Sequence, residues 1–144
     1  MKNVLIVDGQ GGRIGKALAE RFEAARKEGK LFSLTVVGTN AVATANMMKA
    51  SPDAKGATGE NAVRVAARRA DVIVGAIGII VADAMLGEIT PKTAEAISSA
   101  DAVRVLIPMN RQTTCENIVV GVRDASLSEL LDEAVAAVLS LCQT

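Results

Sequence analysis

The chain contains no histidine, no tryptophan and no tyrosine. The missing imidazole excludes a Ser-His-Asp triad, a Cys-His nucleophile pair and any imidazole metal site. Phe22 and Phe32 are the only aromatic residues, so the platforms on which single-stranded nucleic acid stacks are missing too. Nor is there an excess of charge. Sixteen basic residues balance sixteen acidic ones, which argues against nonspecific nucleic-acid binding. Cysteine is scarce: Cys115 and Cys142 lie far apart, lack a C-x-x-C pattern and read as ordinary buried thiols. No apolar run reaches membrane length and no signal-peptide pattern precedes the first strand, so the expectation is a soluble cytoplasmic protein without a membrane partner.

What is there is aliphatic. Half of the 144 residues are apolar, enough for one domain from 1 to 144 with a core of Val, Ile, Leu, Ala and Met. Val4 to Val7 is a continuous apolar run, as in a central parallel strand buried on both faces. Arg13 to Glu28 carries a helical stripe of Ile14, Ala17, Leu18, Phe22 and Ala25, with Gly29 as its stop. Leu31 to Val37 reads as a second strand. Asn40 then caps a short helix to about Ala50, and Ser51 to Gly59 reads as a loop. A helix starting at Thr58 or Gly59 follows, then a buried strand in Asp71 to Gly75. A short apolar helix is expected around Val81 to Leu86, and Thr90-Pro91 opens another to about Ser99. Val103 to Ile107 is the fourth predicted strand and Ile118 to Val122 the fifth. Ser126 and Glu129 form a capping box before a final helix to about Leu141.

This alternation predicts an α/β fold: a doubly wound, mostly parallel five-stranded sheet, Rossmann-like or flavodoxin-like in order, with helices on both faces. The connection from Pro108 to Asn117 is short for a helical crossover. An antiparallel edge strand at Ile118 to Val122 is therefore expected.

The segment Val4 to Gly15 carries the functional signal. A strand ends at Asp8, and Gly9, Gly11, Gly12 and Gly15 follow before a helix begins. A strand, a glycine-rich turn and a helix N-terminus converge backbone N–H groups and the positive end of the helix dipole on one spot, which suits a phosphate. Gly9, Gly12 and Gly15 are spaced G-x-x-G-x-x-G, a variant found in some nicotinamide-dinucleotide proteins. The G-x-G-x-x-G form fails at Ile14, and a P-loop fails at Gln10 and Ala17. Arg13 and Lys16 stand in the first helical turn, where cations oppose the dipole unless an anion binds. Asp8 works against phosphate unless Mg²⁺ or a basic residue intervenes.

A dinucleotide site usually has an acid near the end of the second strand to bind the adenosine ribose. Here no Asp or Glu occurs between Glu28 and Asp53, and the first basic residue past that strand is Lys49. Thr39 and Asn40 are the polar groups on offer.

The other strand ends are polar or glycine-rich as well. They include Gly75-Ala76-Ile77-Gly78 and Pro108-Met109-Asn110-Arg111. The loop Lys55 to Asn61, with Thr58, reads as a second phosphate cradle with Lys55 as counter-charge. The candidate binding residues are thus Asp8, Gly9, Gln10, Gly11, Gly12, Arg13, Ile14, Gly15, Thr39, Asn40, Thr58, Gly75 and Gly78. No metal site and no catalytic residue are assigned. Glu60, Asp83 and Glu88 are the acids expected near this edge, and Cys115 the conceivable nucleophile. The apolar segment Ile77 to Leu86 either fills the core or forms a homodimer face.

Four blocks, Val7 to Lys16, Gly38 to Ala45, Lys55 to Ala62 and Met85 to Lys92, together resemble an uncharacterised family of short bacterial proteins known only as a domain of unknown function, DUF3842. The resemblance spans nearly the whole chain and implies a free-standing bacterial protein, with no activity or site residues to carry over. Three functions remain open. One is a protein that binds a nucleotide, NAD(P)-type or adenine, or another small phosphorylated ligand. Another is a small enzyme on a phosphorylated metabolite. The third is a non-catalytic regulatory or assembly protein.

Overall fold

The run after Asn3 is apolar on both alternating faces, and it becomes the centre of the sheet. In the computed structural model, which describes residues 1–108 and 119–143, β1 is Asn3–Asp8 and every residue from Val4 to Asp8 is buried. The order of elements is β1, α1 (Arg13–Lys27), β2 (Ser33–Gly38), α2 (Ala41–Ala50), β3 (Lys55–Thr58), α3 (Glu60–Arg69), β4 (Val72–Ala76), a 3-10 turn (Ile77–Ile80), α4 (Pro91–Ser98), β5 (Val103–Ile107) and α5 (Leu127–Cys142). The strands form one sheet in the order β3-β2-β1-β4-β5, and every pairing is parallel.

Strand alternation assigns each side chain to a layer. Val4, Ile6, Val36, Val72 and Val74 face α1, α2 and α5, meeting Leu18, Phe22, Met47, Val135 and Val138. Leu5, Val7, Val37 and Ile73 face the other way, onto Val63 and Ala67 of α3 and Ala94 and Ile97 of α4. Phe22 and Phe32, the two aromatics, meet edge to face with centroids 5.5 Å apart. Helix ends follow their predicted caps. Asn40, Thr90 and Ser126 each accept a bond from the backbone N–H three residues on.

Three expectations change. Residues 55–58, within the predicted loop, form the edge strand β3, registered from Thr35↔Lys55 to Gly38↔Thr58. All four residues are exposed, so no apolar alternation marks the strand. No antiparallel edge strand is present among the described residues. Both edges, β3 and β5, are parallel; residues 119–122 carry no strand, and Ile118 lies outside the described residues. Finally, Val81 to Leu86 is not a helix. The 3-10 turn is followed by a series of turns, with positive φ at Asp83 (67°), Met85 (58°), Leu86 (56°) and Gly87 (90°), which a right-handed helix forbids. Asp83 N–H donates to Ile89 O at 2.7 Å and Ile89 N–H to Ala84 O at 3.1 Å, closing this segment into a compact flap.

Within the apolar segment Ile79 and Ala84 are buried and Ile80, Val81 and Met85 pack half-buried against the same core, while Ala82 and Leu86 are exposed. No helix among the described residues is long and apolar enough to cross a membrane.

Candidate functional site

The chain builds outward from β1 to β2 and β3, then crosses back to place β4 on the other side of β1. That reversal makes the β1/β4 boundary the switch point, and a crevice opens there at the carboxyl ends of the strands. The turn after β1 and the segment after β4 form its two walls. A cavity of about 70 Å³ lies between them, lined by every residue from 8 to 14 together with Ala76, Gly78, Ala84 and Met85. It has room for several water molecules or a compact anion, not for a whole dinucleotide.

The glycines are required by packing. Gly12 has φ 70°, and a Cβ there would meet the backbone of Ala43 at 2.8 Å, so α2 can come in close only because the side chain is missing. A Cβ at Gly15 would meet Met47 Sδ at 2.4 Å and Asp8 Cβ at 3.0 Å. At Gly9 it would meet Thr39 Oγ1 at 2.7 Å and Met85 Sδ at 2.9 Å. The G-x-x-G-x-x-G spacing thus packs the first turn against β2, α2 and the flap. Gly11 is different: its nearest such contact is Arg13 Cγ at 3.9 Å.

The N-terminus of α1 is partly occupied. Asp8 Oδ2 accepts from Gly15 N–H at 2.7 Å, and Oδ1 accepts from Gly9 N–H at 2.8 Å. The carboxylate takes the donors that a phosphate at this helix would use. Burial pushes the Asp8 carboxyl above its ordinary value, against the opposing pull of the Gly15 and Gly9 N–H groups; the nearby charge of Glu88 adds to the rise. Two backbone donors stay free. The N–H groups of Gly11 and Arg13 have no hydrogen-bond partner among the described residues, and both residues line the cavity. The exposed Arg13 and Lys16 make no ion pair with a described residue.

A second carboxylate comes from the flap. Glu88 Oε1 accepts from Gln10 N–H, Thr39 Oγ1 and Asn40 Nδ2, each at 2.8 Å. Gln10 has φ 49°, a conformation that costs a residue other than glycine about 1–2 kcal/mol. Asn40 is fully used: it also donates to Gln10 O at 2.9 Å and accepts from Ala43 N–H at 2.9 Å. Burial acts to raise the Glu88 pKa. The bonds from Gln10, Thr39 and Asn40 outweigh it and hold the group below the ordinary glutamate value.

Of the sequence-predicted residues, Asp8, Gly9, Gln10, Gly11, Gly12, Arg13, Ile14 and Gly78 share the cavity. Thr39 and Asn40 adjoin it through Gln10, which shares Glu88 Oε1 with both and accepts from Asn40, and Gly15 through Asp8. Gly75 has a packing role, since a Cβ there would meet Val7 O at 2.7 Å. Thr58 lies at the end of the edge strand, its hydroxyl 2.7 Å from that of Thr44, away from the cavity. The second phosphate cradle does not form. Lys55 begins β3, so it lies about 10 Å along the strand from Thr58, and the acid Glu60 occupies the first turn of α3. Glu60 accepts from Thr90 Oγ1 at 2.5 Å, and Asp83 belongs to the flap. Met109, Asn110, Arg111 and Cys115 lie outside the described residues. Cys142 is a half-buried thiol whose pKa is raised, first by burial. Sequence reasoning missed Ala76, Ala84 and Met85 as lining residues, and Glu88 as a partner of Thr39 and Asn40. The signal for all four is topological: the segment after β4 must face the turn after β1.

Fold and site together define a doubly wound, all-parallel α/β protein with a glycine-rich turn at its switch point. The chain belongs to the family described as Domain of unknown function (DUF3842), whose model matches residues 3–143. No curated protein matches it in sequence. Among solved structures it is similar to a dodecameric FMN-dependent UbiX-like decarboxylase from Escherichia coli O157:H7. That match has 14% identity and a TM-score of 0.40, over 98% of this chain and 95% of that one. A likeness this distant carries no argument about chemistry.

Proposed function

We propose that the protein binds a small phosphorylated ligand, a nucleotide being the leading class, in the crevice between β1 and β4. The observation that carries this reading is the cavity lined by residues 8–14, two of which, Gly11 and Arg13, have backbone N–H groups with no described partner. Arg13, exposed and lining the same cavity, brings a positive charge to it. The seat differs from that expected of an ordinary dinucleotide site. With Asp8 holding the first turn of α1, the phosphate would sit on Gly11 and Arg13 rather than on Ile14 and Gly15. The small volume favours one phosphate group inside and the rest of the ligand outside.

Thermal-shift measurements with NAD, NADP, ATP, AMP and sugar phosphates test the proposal. A ligand at a hundred times its Kd stabilises by about 2.7 kcal/mol, a shift of several degrees in Tm for a chain of this size. At least one member of the panel is expected to stabilise the wild type, with the shift abolished in Arg13→Glu/Lys16→Glu. Silence across the panel, or an undiminished shift in that variant, refutes the assignment.

A further inference from the structure

We infer that Glu88 reads the ribose hydroxyls of a ribonucleoside 5′-phosphate, supplying from the flap the acid that the end of β2 lacks. This rests on the reading above. Residues 38–40, where β2 ends, are Gly-Thr-Asn and carry no acid. The flap brings one to the same place: Glu88 bonds both Thr39 and Asn40, the two residues after β2, and also Gln10 of the glycine-rich turn. Three donors from two segments converge on Oε1 alone. Oε2 accepts from no described residue.

A carboxylate fixed through one oxygen presents the other as an oriented acceptor. Its complement is a hydroxyl, and a sugar diol offers two. Phosphate is disfavoured on that side, where the charges of Glu88 and Asp8 add up. The division of labour then follows from the chain itself. Gln10 holds Glu88 through its N–H, while the next residue, Gly11, lines the cavity and keeps its N–H free of any described partner. Sugar and phosphate positions therefore adjoin through two consecutive residues. The bonds that lower the Glu88 pKa also keep the acceptor ionised at neutral pH.

Calorimetric titration of the wild type, Glu88→Gln and Glu88→Asp with AMP, 2′,3′-dideoxy-AMP and inorganic phosphate tests the assignment. Wild type is expected to bind AMP about tenfold or more tighter than the dideoxy compound, the size of a hydrogen bond to a charged group. In both variants the ratio should fall towards one, while inorganic phosphate still binds. Equal wild-type affinity for the two nucleotides overturns the inference without need of a variant. So does a Glu88→Gln protein that binds both nucleotides more tightly and equally, which would make Glu88 a plug over the turn rather than a reader of hydroxyls. Phosphate binding without hydroxyl preference overturns this inference alone; no binding of any probe by the wild type overturns it together with the phosphate reading.

Discussion

At the scale of single residues, two carboxylates govern the candidate site with opposite electrostatics. Glu88 is held below its ordinary pKa, so its contribution to stability is present above the unfolded-state value and disappears as pH falls through the folded one. Asp8 is raised by burial, so its contribution has the reverse sense: present at low pH and lost as pH rises through its folded value. Glu88→Gln removes the first effect and lessens the second, because the Glu88 charge adds to the rise at Asp8; burial, the larger cause there, remains. The stability gap between wild type and Glu88→Gln, measured by urea unfolding, should therefore be largest near neutral pH and shrink on acidification. A gap that stays constant from neutral pH down to about pH 3 would show that the three bonds on Oε1 do not favour the ionised carboxylate. Asp8 was legible in the sequence as a complication beside the turn. Its capping of Gly15 was not, because which way a side chain turns at a strand end depends on the packing around it.

At the scale of elements, the turn between β1 and α1 does two jobs that sequence spacing alone does not separate. Gly12 and Gly15 admit α2 and Met47 against α1, while a Cβ at Gly11 would make only an ordinary contact, with Arg13 Cγ at 3.9 Å. Gly12→Ala should destabilise by about 2 kcal/mol or more, since both a positive φ and a backbone contact at 2.8 Å oppose the new methyl. Gly11→Ala should stay within about 0.5 kcal/mol of wild type. Denaturant midpoints decide between them, and equal losses at the two positions would mean that the spacing is set by something other than the approach of α2. Elements with a strong local code were read correctly. β1 shows a continuous apolar run, α1 a helical stripe, and α2, α4 and α5 their capping residues. β3 was missed because Lys55, Gly56, Ala57 and Thr58 are all exposed, and pairing with β2 is its main support. The flap was misread as a helix because its apolar residues do go inside, but through successive turns with positive φ at Asp83, Met85 and Leu86.

At the scale of the whole molecule, function is located by topology. The reversal between β3 and β4 opens the crevice, and it opposes the glycine-rich turn to the flap. The glycine-rich half of the site was therefore readable from residues 8–15. Of the other half, Gly78 and an acid at Glu88 near this edge were expected, but not the bond from Gln10 to Glu88, since the two lie 78 positions apart and meet only once the sheet has closed the distance. The ribose acid looked for after β2 was absent in sequence, yet the fold carries a carboxylate to the same strand end from another element. The most direct measurement of the central claim is amide NMR of the ¹⁵N-labelled protein titrated with AMP. Saturable shifts centred on the Gly11 and Arg13 N–H signals, spreading to Gln10, are expected. Shifts centred elsewhere, or none at millimolar ligand, would contradict a phosphate seat at this turn.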